Sequence, residues 1–433
     1  MKKTYSFGES IAFQKMKGHL RNSFEMFGFV PHHIDILEDV NLMREQTNMK
    51  DLFEVIDPCG NFIDVGLRVD HTVSLAKFVV ERQDELIFPL KRYTSGPVFR
   101  PCGDGGYMEF CSCDIDIVGK NNLPIVHDAE IIAMIKDALC SIGLVDNNDQ
   151  LMFSIKINNK KVIDSMLSCC GISSEKKIDA LHALQSGDLS MFESLLGDSG
   201  VSIFDEFRNL SGSNEEIING LRSLLFHYDQ TGIDEIEKVC DCAHKLGIGG
   251  NCIIIDPMLI RSMEYYTGTI YCTYLNNYPE IGSICHGGRY NVFKGGDVNF
   301  PSAGVTVHLN QLFDCMMNHF SLDTTKSSVS KIMVSGISSI EHAMYISNRL
   351  RQDGIKAEMF LDDNMSIDEQ VAYAKKRGFR AFVWTDAATD RRLRADDMVK
   401  IKDLQVPLKM GHENRSCYSL FTDIKVMYGK GLY

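Results

Sequence analysis

The sequence predicts an α/β protein of two or three domains, in which strand-rich parts enclose a helical segment and a smaller α/β unit follows. The chain has 433 residues, of which 44% are hydrophobic and 24% charged, as in an ordinary globular protein. Residues 160–245 are charged and have helical spacing, whereas the stretches on either side have the apolar spacing of strands. Beyond residue 331, short apolar strands alternate with amphipathic helices, a pattern typical of parallel strands joined by helices.

The first element predicted is an amphipathic helix over residues 10–27, ended by Gly28. Four apolar residues recur at the spacing of one helix face: Met16, Leu20, Phe24 and Phe27. Strand or strand–helix segments follow at Phe62–Leu75 and Leu86–Phe99. Residues 107–118 form the clearest predicted strand, because Phe110, Ile115 and Ile117 are spaced among polar residues. A strand-rich section returns from Asn251, and a second apolar segment covers Ala303–Met317.

The last part of the chain is predicted to be a small α/β domain with parallel strands. Its expected strands are Ile332–Val334, Ala357–Leu361 and Ala381–Trp384. Its expected helices are Ser339–Asp353 and Ile367–Arg377.

Charge and hydropathy narrow the classes of function. The formal net charge is −13, which argues against a protein that coats nucleic acid, although a local basic face can still bind it. We therefore expect no DNA partner. No apolar run is long enough to cross a bilayer, and the N-terminus lacks the apolar core of a signal peptide. We expect no membrane partner and a cytoplasmic location.

The 14 cysteines are expected to be free thiols, because the chain has no secretion signal. Two Cys-x-Cys pairs occur, Cys111 with Cys113 and Cys240 with Cys242. Structural zinc sites usually pair cysteines two to four residues apart, so no metal site is predicted.

Residues 259–271 are the most informative segment for function. An arginine, an acid and two tyrosines, Arg261 to Tyr266, lie within six residues, and a glycine-rich stretch follows at Gly282–Tyr290. In an extended chain Arg261 and Tyr265 share one face, and Tyr266 points to the other. A guanidinium and phenols beside a glycine-rich turn suit a small polar ligand that carries a carboxylate or phosphate.

This segment resembles the histidine-binding signature of histidyl-tRNA synthetases, Arg-Gly-Leu-Asp-Tyr-Tyr-Thr-Gly followed by Gly-Gly-Arg-Tyr-Asp. The resemblance extends over nearly the whole chain. Lys91–Arg100 with Tyr107–Gly119 resembles class II motif 2, and Leu67–Val73 resembles the family's Leu-Arg-x-Asp-Leu-Thr segment. Gly28–Glu38 occupies the place of motif 1, and Asn299–Phe313 that of motif 3.

The resemblance implies an α/β (α+β) fold with the antiparallel sheet core of class II aminoacyl-tRNA synthetases. The catalytic core would span residues 1–325 and carry a helical insertion at 160–245. An anticodon-binding-like α/β domain would occupy residues 331–433. The family also implies a homodimer, an amino-acid ligand, tRNA as a partner and, in an active enzyme, ATP with Mg²⁺.

The family's functional positions are carried over to this chain residue by residue. Arg100 and Arg261 match the two catalytic arginines, which hold the ATP α-phosphate. The positions that match the histidine pocket are Asp70, Thr72, Asp116, Tyr265, Tyr266, Gly287 and Arg289.

Several positions depart from the family pattern around the nucleotide. Gln311 replaces the motif 3 arginine and His308 the motif 3 glycine. In motif 2, Met108 replaces an arginine, Ser112 a glutamine and Cys111 an aromatic residue or histidine. The remaining departures are Asp104 in the motif 2 loop, Asp35 in place of the motif 1 proline and Asn291 after the second signature.

These departures lead to three hypotheses about function. The first is a histidyl-tRNA synthetase-like protein that keeps the amino-acid pocket and has an eroded ATP site. The second is an active histidine–tRNA ligase. The third is a regulatory subunit similar to that of ATP phosphoribosyltransferase, which is disfavoured because that subunit typically lacks the final α/β domain.

Overall fold

The computed structural model describes residues 4–47, 52–101, 106–261, 266–291, 298–320, 322–362, 364–385, 399–404 and 417–419. The chain divides into two compact units. One consists of Lys17–Met316, and the other combines Met1–Met16 with Met317–Tyr433. Within the described residues, no helix is both long and apolar enough to span a membrane.

Helices and strands alternate along the described chain. The helices are α1 Phe7–Met26, α2 Val40–Thr47, α3 Thr72–Arg82, α4 Val126–Ser141, α5 Lys160–Cys169, α6 Lys177–Ser186, α7 Leu189–Ser194, α8 Asp198–Arg208, α9 Asn214–Leu224, α10 Thr231–Lys245, α11 Leu309–His319, α12 Ile340–Gln352 and α13 Ile367–Lys376. The strands are β1 Val30–Pro31, β2 Leu37–Asp39, β3 Glu54–Ile56, β4 Phe62–Leu67, β5 Leu90–Pro101, β6 Tyr107–Val118, β7 Phe153–Asn159, β8 Ile253–Ile255, β9 Tyr266–Leu275, β10 Ser283–Asn291, β11 Pro301–His308, β12 Ile332–Ser335, β13 Ala357–Phe360, β14 Ala381–Trp384, β15 Val399–Asp403 and β16 Cys417–Ser419.

The larger unit is built on a sheet whose described strands run in the order β1-β5-β6-β11-β10-β9-β7-β8. The edge pairs β1–β5 and β7–β8 are parallel, and the pairs between them are antiparallel. Helices α4, α5 and α10 pack against one face of this sheet, where α4 buries most of its apolar residues. The central strands are therefore supported from behind.

Six helices, α5 to α10, lie between β7 and β8, which are neighbours in the sheet. The sequence predicted helices throughout this region. Helix α9 begins with a capping box, in which Ser213 accepts from the Glu216 amide and Glu216 accepts from the Ser213 amide. The helical segment thus connects two strands at the sheet edge and leaves the central strands uninterrupted.

A buried arginine joins three segments near the site. Arg68 is 4% exposed, and its guanidinium donates to the carbonyl oxygens of Pro97, Ile34 and Asp35 at 2.8, 3.0 and 3.1 Å. The Leu-Arg segment that the sequence singled out therefore fixes the chain after β1 against β5.

Most elements agree with the sequence expectations, including β6, which covers the whole predicted strand. Two predictions were incomplete. The segment Phe62–Leu75 divides into strand β4 and the start of helix α3. In the smaller unit, β12, β13 and β14 are parallel as predicted, but β15 and β16 add antiparallel strands. Apolar and charged residues alternate in β15, which is a strand signal that the sequence expectations did not include.

Candidate functional site

The open face of the large sheet brings together polar residues from five neighbouring strands. Side chains directly opposite each other on paired strands point to the same face. Asp116 of β6 lies opposite Arg92 of β5 and Gly304 of β11. Asp114 and Ser112 follow on this face at two-residue intervals along β6. The strand register thus aligns them in one row.

A cavity opens at the middle of this row. It encloses about 340 Å³ of space, including open solvent. Its lining residues are Thr72, Asp114, Asp116, Tyr266, His286, Gly287, Gly288, Tyr290, Gly304, Val305 and Thr306. The cavity is therefore polar, with two carboxylates and two phenols in its wall.

Asp116 is held at the buried end of the cavity by a cation and a phenol. Arg92, which is 1% exposed, places Nη2 at 2.8 Å from Asp116 Oδ2. The Tyr290 hydroxyl donates to Asp116 Oδ1 at 2.5 Å. Burial raises the pKa of Asp116, whereas the charge of Arg92 acts in the opposite direction. The carboxylate therefore depends on Arg92 to stay ionised.

Asp114 is a second buried carboxylate with a different environment. Ser112 Oγ donates to Asp114 Oδ1 at 2.8 Å, and His71 Nδ1 lies 3.4 Å from Oδ2. Burial alone would raise the pKa of Asp114, but His71, Arg92 and Ser112 outweigh it and hold the pKa below its usual range. Asp114 therefore presents a permanent negative charge to the cavity at neutral pH.

Two glycines keep the cavity and the adjacent strands at their observed spacing. A Cβ atom on Gly304 would lie 2.1 Å from Asp116 Oδ1. A Cβ atom on Gly287 would lie 2.0 Å from the Gly304 carbonyl oxygen. Neither distance is possible for a real side chain, so these positions need glycine for the carboxylate and the strand to approach.

Asp70 and Thr72 lie at the start of helix α3, beside the cavity. Asp70 Oδ1 accepts from the backbone amides of Thr72 and Val73 at 2.9 and 3.1 Å, which caps the helix. Burial raises the pKa of Asp70, although these amides lower it. One Asp70 oxygen is thus used by the fold, and Thr72 contributes to the cavity wall.

Arg100 lies at the other end of the row, near the end of β5. Its Cζ lies 5.4 Å from the centre of the Phe110 ring, and its Nε donates to the Val69 carbonyl at 3.4 Å. The Phe110 ring in turn lies 6.0 Å from the ring of His308. The aromatic ring therefore places the guanidinium close to His308 and shields one side of it.

Arg261 approaches the same end from the segment before β9. Its Nη1 lies 3.6 Å from Cys272 Sγ, and Cys272 is directly opposite His286 in the β9–β10 pair. His286 Nδ1 and His308 Nε2 are 3.0 Å apart, a hydrogen bond between two imidazoles. Two arginines and two histidines thus share the end of the face away from Asp116.

A family model described as histidyl-tRNA synthetase matches residues 8–312, which include all of these residues. This chain belongs to the histidyl-tRNA synthetase family. Members of the family are class II aminoacyl-tRNA synthetases of protein biosynthesis.

Similar proteins cover most of the chain. The histidine–tRNA ligase of Clostridium tetani is 31% identical over 85% of this chain and 85% of its own length. That of Xylella fastidiosa is 30% identical over 92% and 91%. Among solved structures, the histidyl-tRNA synthetase from Nostoc sp. PCC 7120 covers 99% of this chain and 98% of its own at 24% identity, with a TM-score of 0.84.

A second solved structure carries a different description. It is an ATP phosphoribosyltransferase regulatory subunit/histidyl-tRNA synthetase from Bacillus halodurans C. It covers 89% of this chain and 96% of its own, at 18% identity with a TM-score of 0.69. At this identity the likeness shows the fold alone.

The motif 3 departure has a structural use within the histidyl-tRNA synthetase fold. Gln311 Nε2 donates to the carbonyl oxygen of Ile281, in the turn before β10. The neighbouring Asn310 Oδ1 accepts from the Cys111 amide at 2.5 Å. The neutral amide that stands in place of the family arginine is therefore bound to the backbone.

The motif 2 departures lie on or beside the same face. Met108 is 48% exposed, opposite Arg100 in the β5–β6 pair, and brings no charge there. Ser112 is buried and bound to Asp114. Burial raises the pKa of Cys111, so its thiol stays protonated at neutral pH.

The structure does not bring Arg289 to the cavity, although the signature placed it in the histidine pocket. Nε and Nη2 both bond to Asp128 Oδ2, at 2.9 and 2.5 Å. Nη1 donates to the Leu123 carbonyl at 2.9 Å. Neighbouring residues of a strand point to opposite faces, so Arg289 faces helix α4 while Gly288 and Tyr290 line the cavity.

Of the two signature tyrosines, Tyr266 is buried in the cavity wall. Tyr265 lies outside the described residues, as does Asp104 of the motif 2 loop. The structure therefore brings together Asp116, Thr72, Tyr266 and Gly287 around the cavity, with Asp70 beside it.

Residue-level analysis of the sequence missed Arg92, His71, Asp114 and Tyr290. A signal was present for Asp114 and Asp116, which are acids at alternate positions of an otherwise apolar strand. Two acids on one buried face need cationic partners. Nothing in the sequence says which arginine or histidine supplies them.

Among the described residues, no group of three or more histidine, cysteine or acidic side chains is placed to hold a metal ion. Cys113, Cys240 and Cys242 are free thiols, as are the other cysteines whose side chains the structure describes.

Proposed function

We propose that this protein is a histidyl-tRNA synthetase-like protein that binds a histidine-like amino acid and has an eroded ATP site, with weak or absent aminoacylation. The observation that carries this proposal is the contrast between the two ends of one sheet face. The cavity end keeps buried, well-partnered acids, whereas the nucleotide end has lost two arginines.

The amino-acid pocket is supported by the charge of the cavity. Asp114 stays ionised at neutral pH and can pair with an ammonium or an imidazolium. Asp116 and the Tyr266 phenol offer further polar groups to an imidazole nitrogen. The cavity wall of carboxylates, phenols and glycines suits a small zwitterion such as an amino acid.

The nucleotide end is weakened by the loss of positive charge. Gln311 and Met108 stand where the family has guanidinium groups, and Gln311 is bonded to Ile281. One preorganised donor to a developing charge is worth about 3 kcal/mol in the transition state. ATP thus fits only in part, and no cluster of the described residues fits Mg²⁺, so we assign no step to either.

Two experiments test the proposal. The first measures histidine-dependent exchange of pyrophosphate into ATP, and the second is a calorimetric titration of the protein with histidine. We expect histidine to bind and exchange to be absent or very slow. Exchange at about 1 to 100 per second, as in ordinary enzymes, would overturn the erosion of the ATP site. A folded protein that binds none of the amino acids would overturn the retained pocket.

An active histidine–tRNA ligase is the second candidate, and one observation favours it. Arg100 and Arg261 both remain at the nucleotide end, where their charges act on His286. In that case the substrates are ATP with Mg²⁺, histidine and tRNA. Charging of tRNA by the purified protein, measured alongside exchange, separates the two candidates. For either candidate we propose a cytoplasmic homodimer with an anticodon-binding-like domain at residues 331–433.

A further inference from the structure

The protons on the hydrogen-bonded pair of His286 and His308 can be counted. A neutral pair carries two protons on four ring nitrogens, and one of these protons lies between His286 Nδ1 and His308 Nε2. The two outer nitrogens are then one donor and one bare acceptor, whichever histidine donates to the other. One additional proton makes both outer nitrogens donors and keeps the central hydrogen bond.

The outer nitrogens are available to a ligand. His286 lines the cavity, and both imidazoles are only partly buried. Among the described residues, each of the two rings makes one hydrogen bond, which is the bond to the other ring. In the same residues, neither ring has a nitrogen that is both buried and without a hydrogen-bond partner. A ligand can therefore reach the nitrogen whose role changes on protonation.

The charges around the pair are mostly positive. Arg100 faces it from β5 and Arg261 from the segment before β9. Asp114 of β6 brings a negative charge, but it already contacts His71 and accepts a hydrogen bond from Ser112. Cys272 of β9 lies directly opposite His286 in the sheet. Burial, Arg261 and Arg100 all lower the pKa of His286, and burial also lowers that of His308. The unliganded pair is thus neutral at neutral pH.

We propose that the His286–His308 pair and the guanidinium groups of Arg100 and Arg261 form a proton-coupled receptor for a small oxyanion, in which binding of the anion takes up one proton on the pair. The bound anion offsets the two guanidinium charges, so the pair gains a proton from solvent. Its second outer nitrogen then donates to the anion. A phosphate group and a free inorganic oxyanion share this chemistry.

Sulfate is the best probe, because it does not titrate near neutral pH and any proton taken up must come to the protein. Calorimetry of sulfate binding in two buffers with different ionisation enthalpies measures that uptake directly. We expect up to one proton per bound sulfate. Between about pH 8 and about pH 6, affinity should rise by nearly tenfold per pH unit. Competition with AMP then distinguishes the sources: displacement of sulfate indicates a nucleotide phosphate, and its absence a free oxyanion.

A double variant keeps a central hydrogen bond and removes the titration, because either single substitution leaves one imidazole that can still take up a proton. The side-chain amide of glutamine can occupy the place of His308 Nε2, and that of asparagine the place of His286 Nδ1. In the double variant His286→Asn/His308→Gln, sulfate affinity should lose most of its pH dependence. His182→Gln, at an exposed position of α6, is the matched control and should behave as the wild type.

Three results would overturn the proposal. The first is a wild-type protein that does not bind sulfate at about pH 6. The second is binding without proton uptake. The third is pH dependence that persists in the folded double variant. Histidine titration is independent of these outcomes, so failure of this proposal and failure of the proposed amino-acid pocket are distinguishable.

Discussion

The carboxylate of Asp116 occupies the space that a side chain on Gly304 would fill. A Cβ atom at residue 304 would lie 2.1 Å from Asp116 Oδ1, on the adjacent strand of the same sheet. Asp116 cannot move away without leaving its ion pair with Arg92. The smallest possible side-chain addition therefore tests how firmly the acidic end of the cavity is held.

We expect Gly304→Ala to lower the free energy of unfolding by about 1 to 3 kcal/mol, the usual cost of overpacking. It should also weaken histidine binding, because the alanine methyl displaces Asp116. Urea unfolding and calorimetry measure the two effects. Gly249→Ala is the matched control, since a Cβ atom there meets nothing within 4 Å. Equal stability of the two variants would contradict the close contact.

Arg261→Ala should weaken binding of the amino acid by about 1.5 to 3 kcal/mol, the usual range for a charged hydrogen bond. The reason is the loss of the guanidinium at the end of the face, where the ligand's carboxylate would lie. Calorimetric titration of histidine provides the measurement. Arg208→Ala in α8 removes an arginine that forms an ion pair with Asp205 of its own helix, and affinity should not change there. Unchanged affinity in Arg261→Ala would exclude this arginine from the amino-acid site.

The stability of the wild type relative to Asp128→Asn should decrease as pH rises from about 4 to about 6. Burial raises the pKa of Asp128 to about 6, although Arg289 opposes it. A carboxyl group with a raised folded-state pKa stabilises the fold while it is protonated. That contribution is lost as pH rises through the folded-state value, by about 1.4 kcal/mol per pH unit.

Urea unfolding of the wild type and of Asp128→Asn over this pH range measures the difference in their free energies of unfolding. The contributions of the other titrating groups are the same in both proteins and cancel in this difference. The opposite slope would show that Arg289 dominates over burial. In that case the pair would stabilise the fold through the ionised form of Asp128.

We expect a homodimer at micromolar concentration. The end of α1 and the segments that follow it expose large apolar side chains, with Met26 85%, Leu37 53% and Phe62 70% accessible, and such a surface favours association. Phe62→Asp should shift the protein to a monomer of 48.8 kDa in analytical ultracentrifugation. Phe226→Asp, at a residue that is 73% exposed in the helical segment, is the control and should remain a dimer.

If the wild type were a monomer, motif 1 would contribute to the fold of the chain but would not form a dimer interface. Asp35 would lie near the two-fold axis of a dimer and needs a partner there. His32 does not serve as a cation for it. Its ring packs 4.4 Å from that of Phe78, and burial lowers the pKa of His32 to about 4.

Local sequence patterns predicted those elements whose residues carry their own signal. Strand β6 has Phe110, Ile115 and Ile117 spaced among polar residues, and Gly28, with φ of +80°, follows the end of helix α1. Predictions were incomplete where a segment changes its period or where a strand signal was not used. The segment Phe62–Leu75 contains both a strand and a helix start, and the alternating residues of β15 were not assigned to a strand.

The candidate site was predictable in its motifs and not in its contacts. Arg289 shows the difference. It lies inside a strong signature, yet strand alternation turns it toward Asp128, which precedes it by 161 residues. Arg92 shows the converse: it has no motif of its own, and the β5–β6 register places it opposite Asp116.

The sequence by itself determined the family, the alternation of helices and strands, and the positions where arginines of the family are missing. These follow from residue type and spacing, which are local properties of the chain. Only the tertiary structure decided which side chains meet. It paired His286 with His308, assigned Gln311 to the Ile281 carbonyl and left Asp114 ionised in the cavity. The physical reason is that strand register and burial set distance and dielectric environment, and these decide the charge and hydrogen bonds of every group in the site.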